Sequence, residues 1–153
     1  MLLKSLKIKD FRQFKGIQKI DFSMDKFQNV TIVMGDNGTG KTTLAQAFTW
    51  CLYGETSFED KILLCRSTSL KMQPESEENV RAEISLIHNE IEYTIISDQK
   101  YRKDINNVIK PIGQRSFQIA FKNEDGTRDF INQLETDMRM KEILPKELSK
   151  YFF

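Results

Sequence analysis

A chain of 153 residues can bury one real core, and 39% hydrophobic with 29% charged residues marks a globular protein, not a disordered one. The 23 Lys and Arg against 22 Asp and Glu exclude a bulk polycation, though not a local basic face. No apolar run reaches membrane-spanning length, no signal peptide opens the chain, and Cys51 and Cys65 have no partner motif. Reduced thiols, a cytoplasmic location and no membrane partner are therefore expected. Leu6 and Ile8 alternate with Lys7 and Lys9, which predicts a first strand, and Ile20 and Phe22 share a face in a second. The two are expected to pair antiparallel. Between them, Phe11-Arg12-Gln13-Phe14 brackets a basic residue with aromatics. Val30 to Met34 is a short apolar, β-branched run, as a buried parallel strand should be. The run Gly35-Asp36-Asn37-Gly38-Thr39-Gly40-Lys41-Thr42 follows directly and fits G-x-x-x-x-G-K-[ST], the phosphate-binding loop of nucleoside-triphosphate-binding proteins. After it, Leu44, Ala47, Phe48, Cys51 and Leu52 repeat at helical spacing, and Gly54 stands where a helix C-cap is expected.

The chemistry follows from the residue types. Gly38 and Gly40 let the backbone curl so that successive N–H groups point at phosphate oxygens, with Asn37 and Thr39 between and beside them. A helix starting near Lys41 adds the positive end of its dipole. Lys41 can reach the β- and γ-phosphates of ATP and is the candidate catalytic residue. The Thr42 hydroxyl can ligate Mg²⁺, and Thr43 offers a second hydroxyl near the α-phosphate. A glycine-rich turn with an incidental lysine is the plain alternative, and the flanking strand and helix argue against it.

Further on, Asp60 to Leu64 reads as a short helix after a turn at Gly54 to Thr56, and Arg66 to Asn79, with Pro74, reads mostly as loop. Glu75, Glu77 and Glu78 form an acidic patch on that loop. Val80, Ala82, Ile84 and Leu86 alternate with polar residues, Asn89-Glu90 makes the turn, and Ile91, Tyr93 and Ile95 return. Phe117, Ile119 and Phe121 make another strand, closed by Asp125-Gly126. Asp129 is placed to cap a helix carrying Ile131, Leu134 and Met138, which Pro145 stops before another short helix. His88, the single histidine, continues the apolar face of its strand and reads as structural, since no ligand cluster surrounds it. Two basic groups, Lys4, Lys7, Lys9, Arg12, Lys15 and Lys19, and Lys100, Arg102, Lys103, Lys110 and Arg115, could touch a DNA backbone or simply be lysines alternating outward.

These motifs together resemble a family. Phe11-Arg12-Gln13-Phe14, Asp21-Phe22, Gly35 to Thr43 and Ala47-Phe48-Thr49-Trp50-Cys51-Leu52-Tyr53-Gly54 are similar to the N-terminal half of SMC/SbcC/RecF-type, ABC-class ATPases. Within that superfamily the likeness is greatest to DndD-like ATPases of DNA modification and phage defence. Ile143-Leu144-Pro145 and Tyr151-Phe152-Phe153 resemble the stretch of those proteins that runs into their coiled coil. The resemblance implies an α/β P-loop NTPase fold of ABC/SMC head type, an N-terminal lobe with a mixed parallel core and an antiparallel β subdomain, spanning residues 1–153 as one unit. It implies ATP and Mg²⁺ held by Asn37, Gly38, Thr39, Gly40, Lys41, Thr42 and Thr43, with Arg12 as a basic residue near the nucleotide. It also implies completion by a C-terminal ATPase lobe, homodimerisation of heads on ATP, and DNA with a nuclease or other effector as partners. No L-S-G-G-Q signature, no Walker B Asp-Glu pair and no heptad region occur, so a fragment with little turnover of its own is expected. A small P-loop kinase and a non-catalytic nucleotide sensor are the competing readings. The kinase is disfavoured because such enzymes usually put the phosphate strand first, whereas here about thirty residues precede the loop.

Overall fold

The computed structural model describes residues 1–25 and 27–145. Among them, six strands form one sheet in the order β2-β1-β3-β4-β5-β6, with every neighbouring pair antiparallel. These are β1 (Leu2–Phe11), β2 (Phe14–Asp21), β3 (Glu77–His88), β4 (Ile91–Lys103), β5 (Ile109–Lys122) and β6 (Arg128–Phe130). Three helices, α1 (Lys41–Tyr53), α2 (Arg66–Ser69) and α3 (Gln133–Ile143), complete the described elements.

The core lies where α1 packs on one face of the sheet. Period-2 alternation places Val80, Ala82, Ile84 and Leu86 of β3 fully inside, beside Leu6 and Ile8 of β1, Ile95 of β4 and Ile119 of β5. Against them α1 lays Ala47, Phe48, Trp50, Cys51 and Leu52. Phe11 and Trp50 meet with ring centroids 5.6 Å apart, in a tilted arrangement. The β3–β4 hairpin turns at Asn89-Glu90, both with positive φ (48° and 67°), the backbone of a twist-matched two-residue turn. Gly54 caps α1 in the left-handed region, as its place in the sequence predicts.

Several expectations need correction. Val30 to Met34 does not form a buried parallel strand: it has no regular secondary structure and lies outside the sheet, and Val30, Ile32 and Met34 are 74%, 76% and 85% exposed. The mixed parallel core is accordingly not present among the described residues. Apolar, β-branched composition signals a capacity to pair, whereas pairing also needs a neighbour, and the described sheet offers this run none. Asp60 to Leu64 is not helical, because other groups take its backbone. The Asp60 carboxylate accepts from Ile62 N–H at 2.9 Å, Tyr101 OH accepts from Leu63 N–H at 3.1 Å, and Phe11 bridges Leu64. Conversely, the 66–79 stretch contains α2 and the first residues of β3, where Glu77 pairs with Arg102 and Glu78 lies 3.6 Å from Lys9. The strands β4 and β5 run well past their apolar alternations into polar ends, with a register shift between Asp98 and Lys100. At α3, Asp129 belongs to β6, and Asn132 is the N-cap, its side chain accepting from Leu134 N–H. Leu134 and Met138 point outward, at 90% and 59% exposed, while Thr136, Met140 and Ile143 face inward. The expected short helix after Pro145 and the aromatic end at Tyr151 to Phe153 lie outside the described residues.

Candidate phosphate-binding site

The glycine-rich loop meets the helix as the motif requires. Gly38 and Gly40 take φ of 85° and 109°, conformations that side-chain-bearing residues rarely adopt. Gly35 is needed for closeness instead: a Cβ there would stand 2.7 Å from Thr39 Oγ1. The loop is drawn tight by Thr39, whose hydroxyl donates to Asp36 O at 2.8 Å. In α1 the first intrahelical bond runs from Leu44 N–H to Gly40 O, so the N–H groups of residues 40–43 precede it. No side chain caps this end, and no acidic residue stands in its first turn. The result is a cluster of unneutralised backbone donors at the positive end of a 13-residue helix.

Lys41 closes the curl from the other side. Its ammonium donates to Gly35 O at 2.5 Å and to Asp36 O at 2.8 Å. It therefore sits over the loop, not over the core, and Thr42 is exposed beside it. Asn37, Gly38 and Thr39 are likewise exposed along the loop. Thr43 is buried, and its hydroxyl donates to Gln13 Oε1 at 2.9 Å.

That last contact brings in residues that the motif alone does not show. β1 and β2 are joined by a two-residue turn, Arg12-Gln13, with Phe11 paired to Phe14. This turn abuts the glycine-rich loop: a Cβ on Gly40 would stand 2.6 Å from Phe14 Cζ and 2.8 Å from Gln13 Nε2. Arg12 holds the turn from behind. Its backbone N–H donates to Leu63 O at 2.7 Å, and its guanidinium donates to Ile62 O at 2.8 Å and Asp60 Oδ2 at 3.2 Å, over the Phe58 ring. The hydrogen-bond partners of Arg12 thus lie on the 60–63 segment and not on the phosphate loop. Asp10, buried with a positive φ of 49°, braces the same turn by accepting from Gly16 N–H at 2.9 Å and Thr68 Oγ1 at 2.5 Å. The sequence signal for Gln13 and Phe14 is the pair of alternating strands separated by only two residues.

The far end of α1 is tied to the sheet. Arg115 donates to Trp50 O (3.4 Å), Cys51 O (3.3 Å) and Ser97 Oγ, and its guanidinium fills the space a Cβ on Gly54 would need. Cations at a helix C-terminus complement its dipole. Burial pulls the Arg115 pKa below the usual arginine value. Burial also pushes the Cys51 thiol up to about 12, with Arg115 and Ser97 acting in the opposite direction.

The two basic groups are largely paired. Lys4 meets Glu92 at 2.8 Å, Lys7 meets Glu83 at 3.7 Å, Lys19 meets Asp21 at 2.6 Å, and Lys110 meets Asp104 at 2.9 Å. Among the described residues no group of three or more His, Cys, Asp or Glu could hold a metal ion. His88 ends β3 with a buried Nδ1 that lacks a hydrogen-bond partner. Both cysteines are free and buried. No described helix is long and apolar enough to cross a membrane. Beside the loop lies a mostly apolar cleft of about 500 Å³, lined by Leu3, Leu6, Phe22, Val33 and Phe48 and reached by Lys41.

A family described as AAA domain matches residues 5–152. The DNA replication and repair protein RecF of Oenococcus oeni is 47% identical over 47 residues, a match spanning 31% of this chain and 11% of that protein. A chain solved in work on ATP-driven dimerisation and DNA-stimulated activation of SMC ATPases is 16% identical, at a TM-score of 0.49 over 94% of this chain and 78% of that one. The family match covers nearly the whole sequence and includes the glycine-rich loop, so this chain belongs to the AAA domain family, built on an α/β fold of P-loop NTPase type.

Proposed function

We propose that this chain is the ATP- and Mg²⁺-binding N-terminal lobe of an SMC-like ATPase that acts on DNA. The observation that carries the reading is the open N-terminus of α1: backbone donors uncapped by any side chain, with the Lys41 ammonium folded over the same loop. The donor set fits a polyphosphate. Gly38, Gly40 and the amides of residues 40–43 offer neutral N–H groups to non-bridging oxygens. Lys41 exchanges two neutral carbonyls for charged phosphate oxygens, a stronger class of bond. Thr42 contributes one hydroxyl to a hard cation, which takes oxygen ligands from phosphate and water as well. Bound Mg²⁺ would neutralise charge developing on the phosphates. Thr39 shapes the loop, Asn37 stands exposed within it, and Arg12 acts through the turn that it anchors.

Hydrolysis needs a positioned water and further charge stabilisation beyond a phosphate cradle. In the proposed reading a C-terminal lobe supplies these, and two heads dimerise on ATP. The exposed apolar run at Val30 to Met34 and the apolar cleft beside it support this, being surfaces that such a lobe would cover. Similarity to a replication and repair protein supports DNA as the partner. DNA modification or phage defence of the DndD-like kind, a nuclease or other effector subunit, and a cytoplasmic location rest on the motif resemblance and the free thiols.

Calorimetry of the purified chain with ATP, with and without Mg²⁺, tests the reading. Mg²⁺-dependent binding is expected, with turnover below about 1 s⁻¹. No binding, or turnover at ordinary ATPase rates by this chain alone, would refute it.

A further inference from the structure

Gln13 has an amide whose two ends are in different situations. Its carbonyl oxygen takes the Thr43 hydroxyl proton at 2.9 Å. In this arrangement the NH₂ group is turned toward Gly40, 2.8 Å from where a Cβ would be. The NH₂ group carries two hydrogens, and among the described residues no protein acceptor takes either of them. Gln13 is exposed on the turn, so its amide lies at the lip of the phosphate cradle, above the third residue of α1.

The turn is built to keep it there. Arg12 adopts φ 54°, unusual for a residue with a side chain, and is held at both its backbone N–H and its guanidinium by the 60–63 segment. Phe14 packs against Gly40 on the other side. A polar side chain held on a strained, doubly anchored turn and aimed into an anion cradle is placed as a ligand donor.

We propose that Gln13 is a nucleotide-binding residue, its NH₂ group donating to an α-phosphate oxygen while its carbonyl positions the Thr43 hydroxyl for the same phosphate. The inference rests on the nucleotide-binding reading above. Because the α-phosphate is common to ATP and ADP, Gln13 contributes equally to both, whereas Lys41 at the β- and γ-phosphates does not.

The test compares Gln13→Ala and Gln13→Glu with the unaltered chain, by calorimetry with ATP and with ADP in Mg²⁺. Glutamate is isosteric and still accepts the Thr43 hydroxyl, but it cannot donate and it adds a negative charge. Gln13→Ala is expected to weaken both nucleotides about tenfold, the loss of one charge-assisted hydrogen bond. Gln13→Glu is expected to weaken both by more than the alanine variant. A role confined to holding the Thr43 hydroxyl would make Gln13→Ala silent in a Thr43→Val background, where there is no hydroxyl to hold, and that result would overturn the inference. So would a loss confined to ATP. The unfolding midpoint is expected to fall slightly for Gln13→Ala, which leaves the Thr43 hydroxyl without its acceptor, and to stay unchanged for Gln13→Glu, which keeps it. If the unaltered chain binds neither nucleotide, the nucleotide reading itself fails and the inference falls with it.

Discussion

Gly40→Ala separates two costs that a phosphate-binding loop usually confounds. The first is backbone strain: φ is 109°, beyond the left-handed helical well. Holding an alanine in such a region costs about 1–3 kcal/mol. The second is contact. The new methyl would stand 2.6 Å from Phe14 Cζ, 2.8 Å from Gln13 Nε2 and 3.1 Å from Phe14 Cε2. Carbon atoms prefer about 3.5–4.0 Å, so Phe14 must move by roughly 1 Å. Phe14 is partly buried against the core and heads β2, so it cannot swing away freely. Overpacking of this kind costs about 1–3 kcal/mol. The sum, about 2–5 kcal/mol, is a large share of the roughly 5–15 kcal/mol that holds a domain together. Gly38→Ala is the internal control: its φ is 85°, but nothing lies within 4 Å of a Cβ there. It should show strain alone. Urea unfolding followed by circular dichroism measures both, with equal slopes as the condition for comparing midpoints. Gly40→Ala is expected to be the less stable by about 1–3 kcal/mol, and Phe14→Leu in its background should recover part of that difference. Equal destabilisation of the two glycine variants would refute the contact between the β1–β2 turn and the phosphate loop.

Lys41→Ala should abolish triphosphate binding in calorimetry and leave the unfolding midpoint nearly unchanged, because the ammonium bonds only to exposed loop carbonyls. Arg115→Leu should cost about 1.5–3 kcal/mol in urea unfolding, and the loss should be non-additive with Ser97→Ala, since the hydroxyl of Ser97 bonds both Arg115 and Cys51 O. The Cys51 thiol, raised from 9.0 to about 12, contributes stability that is complete below pH 9 and lost as pH climbs toward 12. A chain carrying Cys51→Ala should show a flatter fall in midpoint across that interval. Glu92 behaves in the opposite sense: the hydrogen bond from Lys4 lowers its pKa below 4.5, so its contribution is present above that value and disappears as pH falls. Lys4→Met should remove that acid-side loss, an effect under about 1 kcal/mol for so exposed a pair, measured by unfolding at pH 3 and 7.

Local signals were legible where local physics decides the outcome. The alternation from Val80 to Leu86 with a turn at Asn89-Glu90 specifies a hairpin by itself, and the structure has it in register. The glycine spacing and the stripe on α1 likewise specify loop, helix and C-cap. Legibility ends where a distant group decides. The 60–64 stretch is taken from the helical state by Tyr101 OH and by Arg12, which are far away in sequence. The inward face of α3 is chosen by packing, so Thr136 is buried while Leu134 is not. At the site, the motif names Lys41 and the glycines, but that Gln13 rather than Arg12 touches α1 follows from a two-residue turn and its anchors.

The exposed run at Val30 to Met34 has a colloidal consequence. Five consecutive uncharged residues, mostly β-branched and free of proline, carry backbone groups that the sheet does not use. Such segments stack with copies of themselves, each chain pairing its strand with the next. Asp25 and Lys26 precede the run and Asp36 follows it, so opposite charges stand at its N-terminal flank and none stands within it. Turbidity at neutral pH should therefore rise with protein concentration, and a single Ile32→Lys substitution, which puts a charge inside the run, should suppress it.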